Sequence, residues 1–159
     1  MEEGYSQWEV RPAYRDEWQD AMALAWKTFM KYEADDYTPE GVKSFLDFIT
    51  DSRLHRMFLI GSYEMIVAMK KKDMIGMITL RGRNHISLLF VDEKYHRKGV
   101  GRSLMRYLCR QVLIEEGAPK ITVNAAPYGL EFYHKLGFRD TGTEMQQDGI
   151  RYTPMEFVL

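Results

Sequence analysis

Two glycines separated by a single residue, Gly99 and Gly101, lie in the cationic heptapeptide HRKGVGR at positions 96–102. Glycines let a backbone turn without Cβ clashes, so that several N–H groups can converge on one anion. Between Lys94 and Ile114 there are six Lys or Arg residues and no Asp or Glu, although the formal net charge of the chain is -1. This segregation of charge predicts an anion site at the glycine turn, and a polyphosphate suits it.

Other interpretations of the glycine turn stay open. The glycines can simply make a tight connection between a strand and a helix, with the arginines on a solvated helix face. The cationic segment also suits a nucleic acid, whose binding would weaken steeply with salt. Two nucleotide motifs do not fit, because the chain has no Gly-Lys-Ser/Thr of a Walker loop, and Leu104 stands where a dinucleotide fingerprint needs its third glycine.

Helical spacing of apolar residues marks the first part of the chain. It predicts a helix from Arg15 to about Glu33, and Thr38-Pro39 predicts the start of a second helix that runs to about Thr50. The predicted elements that follow are strands at 63–69, 74–80 and 85–91, a helix at 99–116, a strand at 120–126, a helix at 128–136 and a hairpin around Asp148-Gly149.

With an opening strand at 8–11, the predicted element order is β-α-α-β-β-β-α-β-α-β-β. The strand-helix-strand unit in the middle requires parallel neighbours, whereas the hairpins require antiparallel ones. The sequence therefore predicts one α+β domain over residues 1–159, with a mixed, largely antiparallel sheet and helices on both faces.

Composition restricts the class of protein. A chain of 159 residues with 45% hydrophobic and 28% charged residues is typical of a single globular domain. Its uncharged apolar runs are far shorter than the ~20 residues that span a bilayer, so we expect no membrane segment. Cys109 is the only cysteine and cannot form an internal disulfide, so we expect a reducing, cytoplasmic setting. No spacing of histidines or cysteines predicts a metal site.

The glycine heptapeptide resembles the acetyl-CoA motif of the GCN5-related N-acetyltransferases, written Q/R-x-x-G-x-G/A, in its position between a strand and an amphipathic helix. Downstream, residues 123–138 (VNAAPYGLEFYHKLGF) resemble the second signature of that family, which closes with F-Y-x-K-L-G-F. Residues 152–156 are also similar to many bacterial members. The chain departs from the pattern at His96, where the motif has Gln or Arg, and at Asn124, which lies closer to Pro127 than the commoner N-x-x-A spacing. On both signatures the chain is identified as a member of this family.

The resemblance implies acetyl-CoA as the co-substrate and no metal. In the family, the edge of the fourth strand holds the pantetheine arm and the glycine turn holds the pyrophosphate. The residues that the resemblance assigns to the cofactor are Leu89, Phe90, Val91, His96, Arg97, Lys98, Gly99, Val100, Gly101, Arg102, Asn124 and Tyr133.

Acetyl transfer from a thioester to an amine needs a base for the amine, an N–H donor for the oxyanion and an acid for the departing thiolate. By resemblance, Tyr133 is the acid and the amide near Leu89 is the oxyanion donor. His85 occupies the position where histone acetyltransferases of the family carry a catalytic glutamate, which makes it the predicted base. The alternatives are a core role for Tyr133, and an exposed turn position for His85 with a water chain as the base.

In this family the loop between the first two helices frames the acceptor pocket, and here it carries Glu33, Asp35, Asp36 and Tyr37. Three acids and an aromatic suit a cationic amine through ion pairing and cation–π contact, although such a run is also typical of a solvated loop. We expect an N-acetyltransferase that works by direct attack in a ternary complex on a small amine or a peptide amino group. We expect no nucleic-acid or membrane partner. Members of the family often pair through the edge that a terminal hairpin offers, so the resemblance makes a homodimer the expected assembly. The alternative is a catalytically weak acyl-CoA-binding regulator.

Overall fold

The computed structural model describes residues 7–117 and 119–159. The helices are α1 (Trp18–Tyr32), α2 (Pro39–Ile49), α3 (Ser52–Leu59), α4 (Val100–Gln111) and α5 (Leu130–Leu136). The strands are β1 (Glu9–Pro12), β2 (Tyr63–Lys70), β3 (Asp73–Arg81), β4 (His85–Val91), β5 (Lys120–Ala125), β6 (Arg139–Asp140), β7 (Met145–Gln147) and β8 (Ile150–Val158).

The strands of the described residues form a sheet in the order β1-β2-β3-β4-β5-β8-β6, with β7 paired to β8 off this path. Neighbouring strands are antiparallel except β4 and β5, which are parallel because α4 crosses between them. The predicted mixed, largely antiparallel sheet with helices on its faces is therefore confirmed.

Each face of the sheet carries its own hydrophobic core. On one face, α4 and α5 pack against β3, β4 and β5 through fully buried side chains such as Leu104, Leu108 and Ile121. Gly76 on β3 allows α4 to come close, because a Cβ there would lie 2.9 Å from Val100 and 3.0 Å from Leu104. On the other face, α1, α2 and α3 cover side chains of β2, β3 and β4.

Most predicted boundaries agree with the structure to within a few residues. Thr38 caps α2 as predicted, since its hydroxyl accepts the Gly41 N–H at 3.1 Å. Helix α3 and the short strand β6 escaped prediction. Helix α3 has eight residues, and Asp51 caps it by accepting the Arg53 N–H at 2.8 Å. An Asp-Ser pair before a short amphipathic run is the signal that marks such a helix. No helix among the described residues is long and apolar enough to cross a membrane.

Candidate functional site

Strands β4 and β5 stay together for only a short distance. Their parallel pairing consists of His85 with Thr122 and Ile86 with Val123, although β4 continues to Val91. Beyond Ile86 the two strands diverge, and we call the gap between residues 87–91 and the end of β5 the β4–β5 opening. A strand edge without a partner presents N–H and C=O groups that an extended ligand can use.

A bulge in β4 sets the direction of the amides at the opening. The pairing of β3 with β4 shifts register between Thr79 and Leu80. There the Leu88 N–H donates to the Thr79 hydroxyl at 3.0 Å, and the Tyr63 hydroxyl contacts Thr79 at 2.8 Å and donates to Ser87 at 2.9 Å. The Leu88 amide is therefore turned toward β3. Because successive N–H groups of a strand point to opposite edges, the Leu89 amide is expected to face the opening.

The side chains of the predicted pantetheine segment lie on both faces of the sheet. Leu89 and Val91 pack partly buried on the α4 side, whereas Phe90 is buried on the α1 side against Phe45. These side chains belong to the cores. The unpaired backbone of this segment is therefore its main polar group for contact with a ligand in the opening.

The glycine turn directly follows the opening. Ion pairs tie the start of this loop to α1, from Lys27 to Asp92 at 3.0 Å and from Lys31 to Glu93 at 2.8 Å. Gly99 has φ +99 and starts α4 without a side-chain cap. The first amides of the helix have no partner within it, and with the helix dipole they attract an anion.

Close packing fixes the second glycine of the turn. A Cβ on Gly101 would lie 3.1 Å from the Phe132 ring of α5, so a larger residue would push the two helices apart. The side chains of Arg97, Lys98 and Arg102 are exposed around the turn, and none forms an ion pair with another described residue. The predicted anion site thus combines free helix amides with available cations.

His96, the residue that departs from the family motif, turns its ring away from the glycine amides. Its Nε2 donates to the Val91 carbonyl at 2.7 Å, and its Nδ1 lies 3.5 Å from the Tyr128 hydroxyl. The Tyr32 ring packs against both, at 4.9 Å from His96 and 5.1 Å from Tyr128. Tyr128 follows β5 and Val91 ends β4, so this aromatic cluster spans the mouth of the β4–β5 opening.

Tyr133 projects from α5 with only 6% of its surface exposed, between Phe132 and Phe138. Its hydroxyl has no hydrogen bond to a described residue. Since the described residues contain no fully buried side-chain oxygen or nitrogen without a partner, this hydroxyl still reaches solvent. Burial and then the charge of Glu33 raise the pKa of Tyr133, which keeps the hydroxyl protonated at neutral pH.

The side chains of the acidic loop after α1 differ in how far they are buried. Glu33 is half-buried at the end of α1, and burial together with Asp36 raises its pKa to about 7. Asp36 lies 3.7 Å from Arg151, whereas Asp35 is exposed. Burial, followed by the charges of Glu33 and Asp36, raises the pKa of Tyr37. The loop is therefore only partly solvated.

A cavity of about 280 Å³ lies between this loop and the closing hairpin. Its lining includes Tyr37 and Asn124, which the sequence singled out, and four residues that it did not. Those are Gln147, Asp148, Ile150 and Tyr152, which all belong to the β7–β8 hairpin. The turn pair Asp148-Gly149 predicted the hairpin but could not show what it covers.

His85 lies where β4 and β5 still pair, before the opening begins. Its Nδ1 is 2.8 Å from the Thr122 hydroxyl. Burial and the nearby Arg81 lower the pKa of His85, so the imidazole is neutral at pH 7. The glycine turn therefore follows the open end of β4, Tyr133 projects from the helix that follows β5, and His85 lies at the closed end of the β4–β5 pair. Among the described residues no cluster of His, Cys, Asp or Glu could hold a metal ion.

Comparisons with known proteins agree with this fold. A glucosamine 6-phosphate N-acetyltransferase from Trypanosoma brucei brucei is 30% identical over 92 residues, which span 57% of this chain and 57% of that relative. A GCN5-related N-acetyltransferase structure from Rhodopseudomonas palustris superposes with a TM-score of 0.81 at 24% identity, covering 95% of both chains. The PaiA N-acetyltransferase from Thermoplasma acidophilum, solved with coenzyme A, gives 0.75 at 18% identity over 96% of this chain and 99% of that one. Residues 33–159 match the sequence profile of the acetyltransferase (GNAT) domain, and the chain belongs to that family.

Proposed function

We propose that this protein transfers the acetyl group of acetyl-CoA to a primary amine by direct attack in a ternary complex. The observation that carries the proposal is the β4–β5 opening, an unpaired strand edge that leads into the glycine turn. We infer that the glycine turn takes the pyrophosphate of acetyl-CoA, the strand edge takes the pantetheine, and the Tyr133 hydroxyl lies near the thioester.

Acetyl-CoA fits the chemistry of the residues present. The pyrophosphate takes the amides of residues 98–102 at the start of α4, with Arg97, Lys98 and Arg102 around it. The pantetheine amides pair with the backbone of Leu89–Val91, in the manner of an added strand. His96 already donates to the Val91 carbonyl, so a pantetheine amide that donates to the same oxygen shares it with the imidazole.

The chain supplies groups for the reaction itself. The Leu89 amide donates to the carbonyl oxygen, where charge develops during attack. The Tyr133 hydroxyl protonates the departing thiolate, because its raised pKa keeps the proton available. For the proton of the amine, His85 stays the residue that the sequence predicts.

The cavity between the acidic loop and the hairpin is the proposed acceptor site. Its lining combines the Asp148 carboxylate, the amides of Asn124 and Gln147, and the phenols of Tyr37 and Tyr152, without Lys or Arg. These groups suit a cationic or hydroxylated small amine. They offer no cation to a phosphate, so a phosphorylated amino sugar, the acceptor in the name of the trypanosomal relative, is the less suitable acceptor here.

An acceptor panel tests the proposal. Purified protein with acetyl-CoA is mixed in turn with spermidine, glucosamine, glucosamine 6-phosphate and a peptide with a free amino terminus, and CoA release is measured. We expect turnover with an unphosphorylated small amine. CoA release with the peptide alone would favour a protein acetyltransferase. Acetyl-CoA binding without any turnover would favour the regulatory module.

Replacing Gly149 by alanine is expected to impair the acceptor site selectively. Gly149 has φ +81, and a Cβ there would overlap the Thr38 hydroxyl and lie 2.6 Å from the Gly41 N. The substitution therefore breaks the contact in which the Thr38 N–H donates to the Gly149 carbonyl at 3.2 Å and holds the hairpin on α2. The KM for the amine should rise about tenfold, equal to about 1.4 kcal/mol, while the KM for acetyl-CoA stays unchanged.

Gly82→Ala is the matched control for this substitution. Gly82 has φ +68, and an added Cβ would meet no atom within 4 Å, so this variant reproduces the backbone strain away from the cavity. Equal changes in the KM of the amine for both variants would contradict the assignment of the cavity.

A further inference from the structure

Glu33 directly follows Tyr32, whose ring packs against His96 and Tyr128 at the mouth of the β4–β5 opening. It ends α1 on one face of the sheet, whereas Tyr133 belongs to the core on the opposite face. Elsewhere the sheet itself lies between the two faces. Between the diverging ends of β4 and β5, however, no strand lies between them. The charge of Glu33 accordingly acts on the hydroxyl of Tyr133, and also on those of Tyr37 and Tyr128.

The backbone of Glu33 is held in place, whereas its carboxylate has no partner among the described residues. Its backbone is fixed, because its N–H donates to the Phe29 carbonyl at 2.8 Å and its carbonyl accepts the Asp36 N–H at 3.0 Å. The side chain makes no hydrogen bond or ion pair with a described residue. No fully buried side-chain oxygen is left unpaired in the described part of the chain, so the carboxylate keeps some contact with solvent.

The groups around Glu33 keep its carboxyl weakly acidic. Asp36 repels it from the next helical turn, and Arg151, the nearest cation of the hairpin, is turned to Asp36 at 3.7 Å and to Glu144 at 3.2 Å. Lys31, one turn earlier, is paired with Glu93 at 2.8 Å. The titratable groups that face Glu33 are therefore Asp36, Tyr37, Tyr128 and Tyr133, and none of them neutralises it.

We propose that Glu33 is the general base of the acetyl transfer, placed between the acceptor cavity and the thioester in the β4–β5 opening. The inference rests on the proposed function and goes beyond attraction of a cationic amine by the acidic loop. With a pKa of about 7, the carboxyl is about half ionised at pH 7 and accepts protons efficiently near that pH.

The proton balance closes with these residues. Glu33 takes a proton from the ammonium ion, and the neutral amine forms the C–N bond to the thioester carbon. The tetrahedral intermediate loses a second proton as the C–S bond breaks, and the thiolate takes the proton of Tyr133. The second proton restores the Tyr133 hydroxyl, and Glu33 returns the first to solvent. The products are the amide, CoA thiol and one proton.

Distance favours Glu33 over His85 for this role. Leu89, the expected oxyanion donor, lies four positions after His85, which corresponds to about 13 Å along a strand. A proton would need a chain of waters to cover that span. The His85 ring also already contacts Thr122, whereas Glu33 has no such partner.

The test is the pH dependence of kcat/KM for wild type, Glu33→Gln and the control Glu40→Gln, an exposed glutamate in the same region. The acceptors are ethylamine and the weakly basic 2,2,2-trifluoroethylamine. In wild type, kcat/KM should rise through about pH 7 and then level. Glu33→Gln should lose about 10²-fold in kcat with ethylamine at pH 7.5 and show no bend near pH 7. The loss should be much smaller with trifluoroethylamine, which is already neutral, and Glu40→Gln should match wild type.

Other outcomes overturn the inference in distinguishable ways. A bend that persists in Glu33→Gln but disappears in His85→Gln assigns the base to His85. A Glu33→Gln variant with a raised KM and unchanged kcat reduces Glu33 to an anchor for the ammonium ion. A wild-type protein that is stabilised by acetyl-CoA but releases no CoA with either amine or the acceptor panel overturns the proposed function itself.

Discussion

Tyr133→Phe is expected to lower kcat by roughly 10²–10³-fold while leaving acetyl-CoA binding unchanged, because a general acid is lost and the ring is kept. The substitution removes only the hydroxyl, which no described residue hydrogen-bonds, so the packing against Phe132 and Phe138 persists. Steady-state kinetics with the best amine of the panel give kcat, and calorimetric titration gives the Kd of acetyl-CoA. The melting temperature of the variant should stay close to that of wild type.

Tyr14→Phe provides the matched control for Tyr133→Phe. Tyr14 is 60% exposed and stacks on Arg11, remote from the opening. Its variant should keep wild-type kcat. An unchanged kcat in Tyr133→Phe would show that the thiolate leaves without this acid. If the wild-type protein is also slow, that result would favour a catalytically weak acyl-CoA-binding regulator.

Gly99→Ala is expected to weaken acetyl-CoA binding by about 10–100-fold, the equivalent of one or more lost hydrogen bonds to a charged group. Gly99 has φ +99, a conformation that alanine adopts only with strain, so the turn relaxes and its amides change direction. No atom lies closer than 4.0 Å to the added Cβ, so steric overlap contributes little. The Kd of acetyl-CoA measures the effect.

Gly61→Ala is the matched control for Gly99→Ala, because it introduces similar backbone strain away from the glycine turn. Gly61 has φ +85 with nothing within 4 Å of a Cβ, and it lies in the turn before β2. Both variants should lose about 1 kcal/mol of stability, which lowers the melting temperature by about 2–4 °C. Only Gly99→Ala should lose affinity. Equal affinities in the two variants would remove the glycine turn from the cofactor site.

Local sequence patterns predicted the elements that carry the site. The glycine turn, the strand before it and the helix after it depend on backbone conformation and apolar spacing, which neighbouring residues determine. Thr38-Pro39 and Asp148-Gly149 are local signals of the same kind, and both lie where predicted. Helix α3 was missed because its eight residues give too short a period to stand out.

Features that depend on contacts between segments distant in the sequence could not be predicted from local patterns. The divergence of β4 from β5 after Ile86 is a matter of pairing between distant segments. The hairpin residues that line the cavity, Tyr152 among them, reach it only because Gly149 packs against α2. The raised pKa of Glu33 likewise results from burial in the folded chain. From the sequence, Glu33 was therefore only one of three acidic residues in a loop.

Thermal unfolding with and without acetyl-CoA tests the central claim most directly. If the glycine turn and the β4–β5 opening bind acetyl-CoA, ligand at about 100 times its Kd adds about 2.7 kcal/mol and raises the melting temperature by roughly 5–10 °C. The rise should shrink strongly in Gly99→Ala and persist in Gly61→Ala. An unchanged melting temperature of the wild-type protein at millimolar acetyl-CoA would contradict the account.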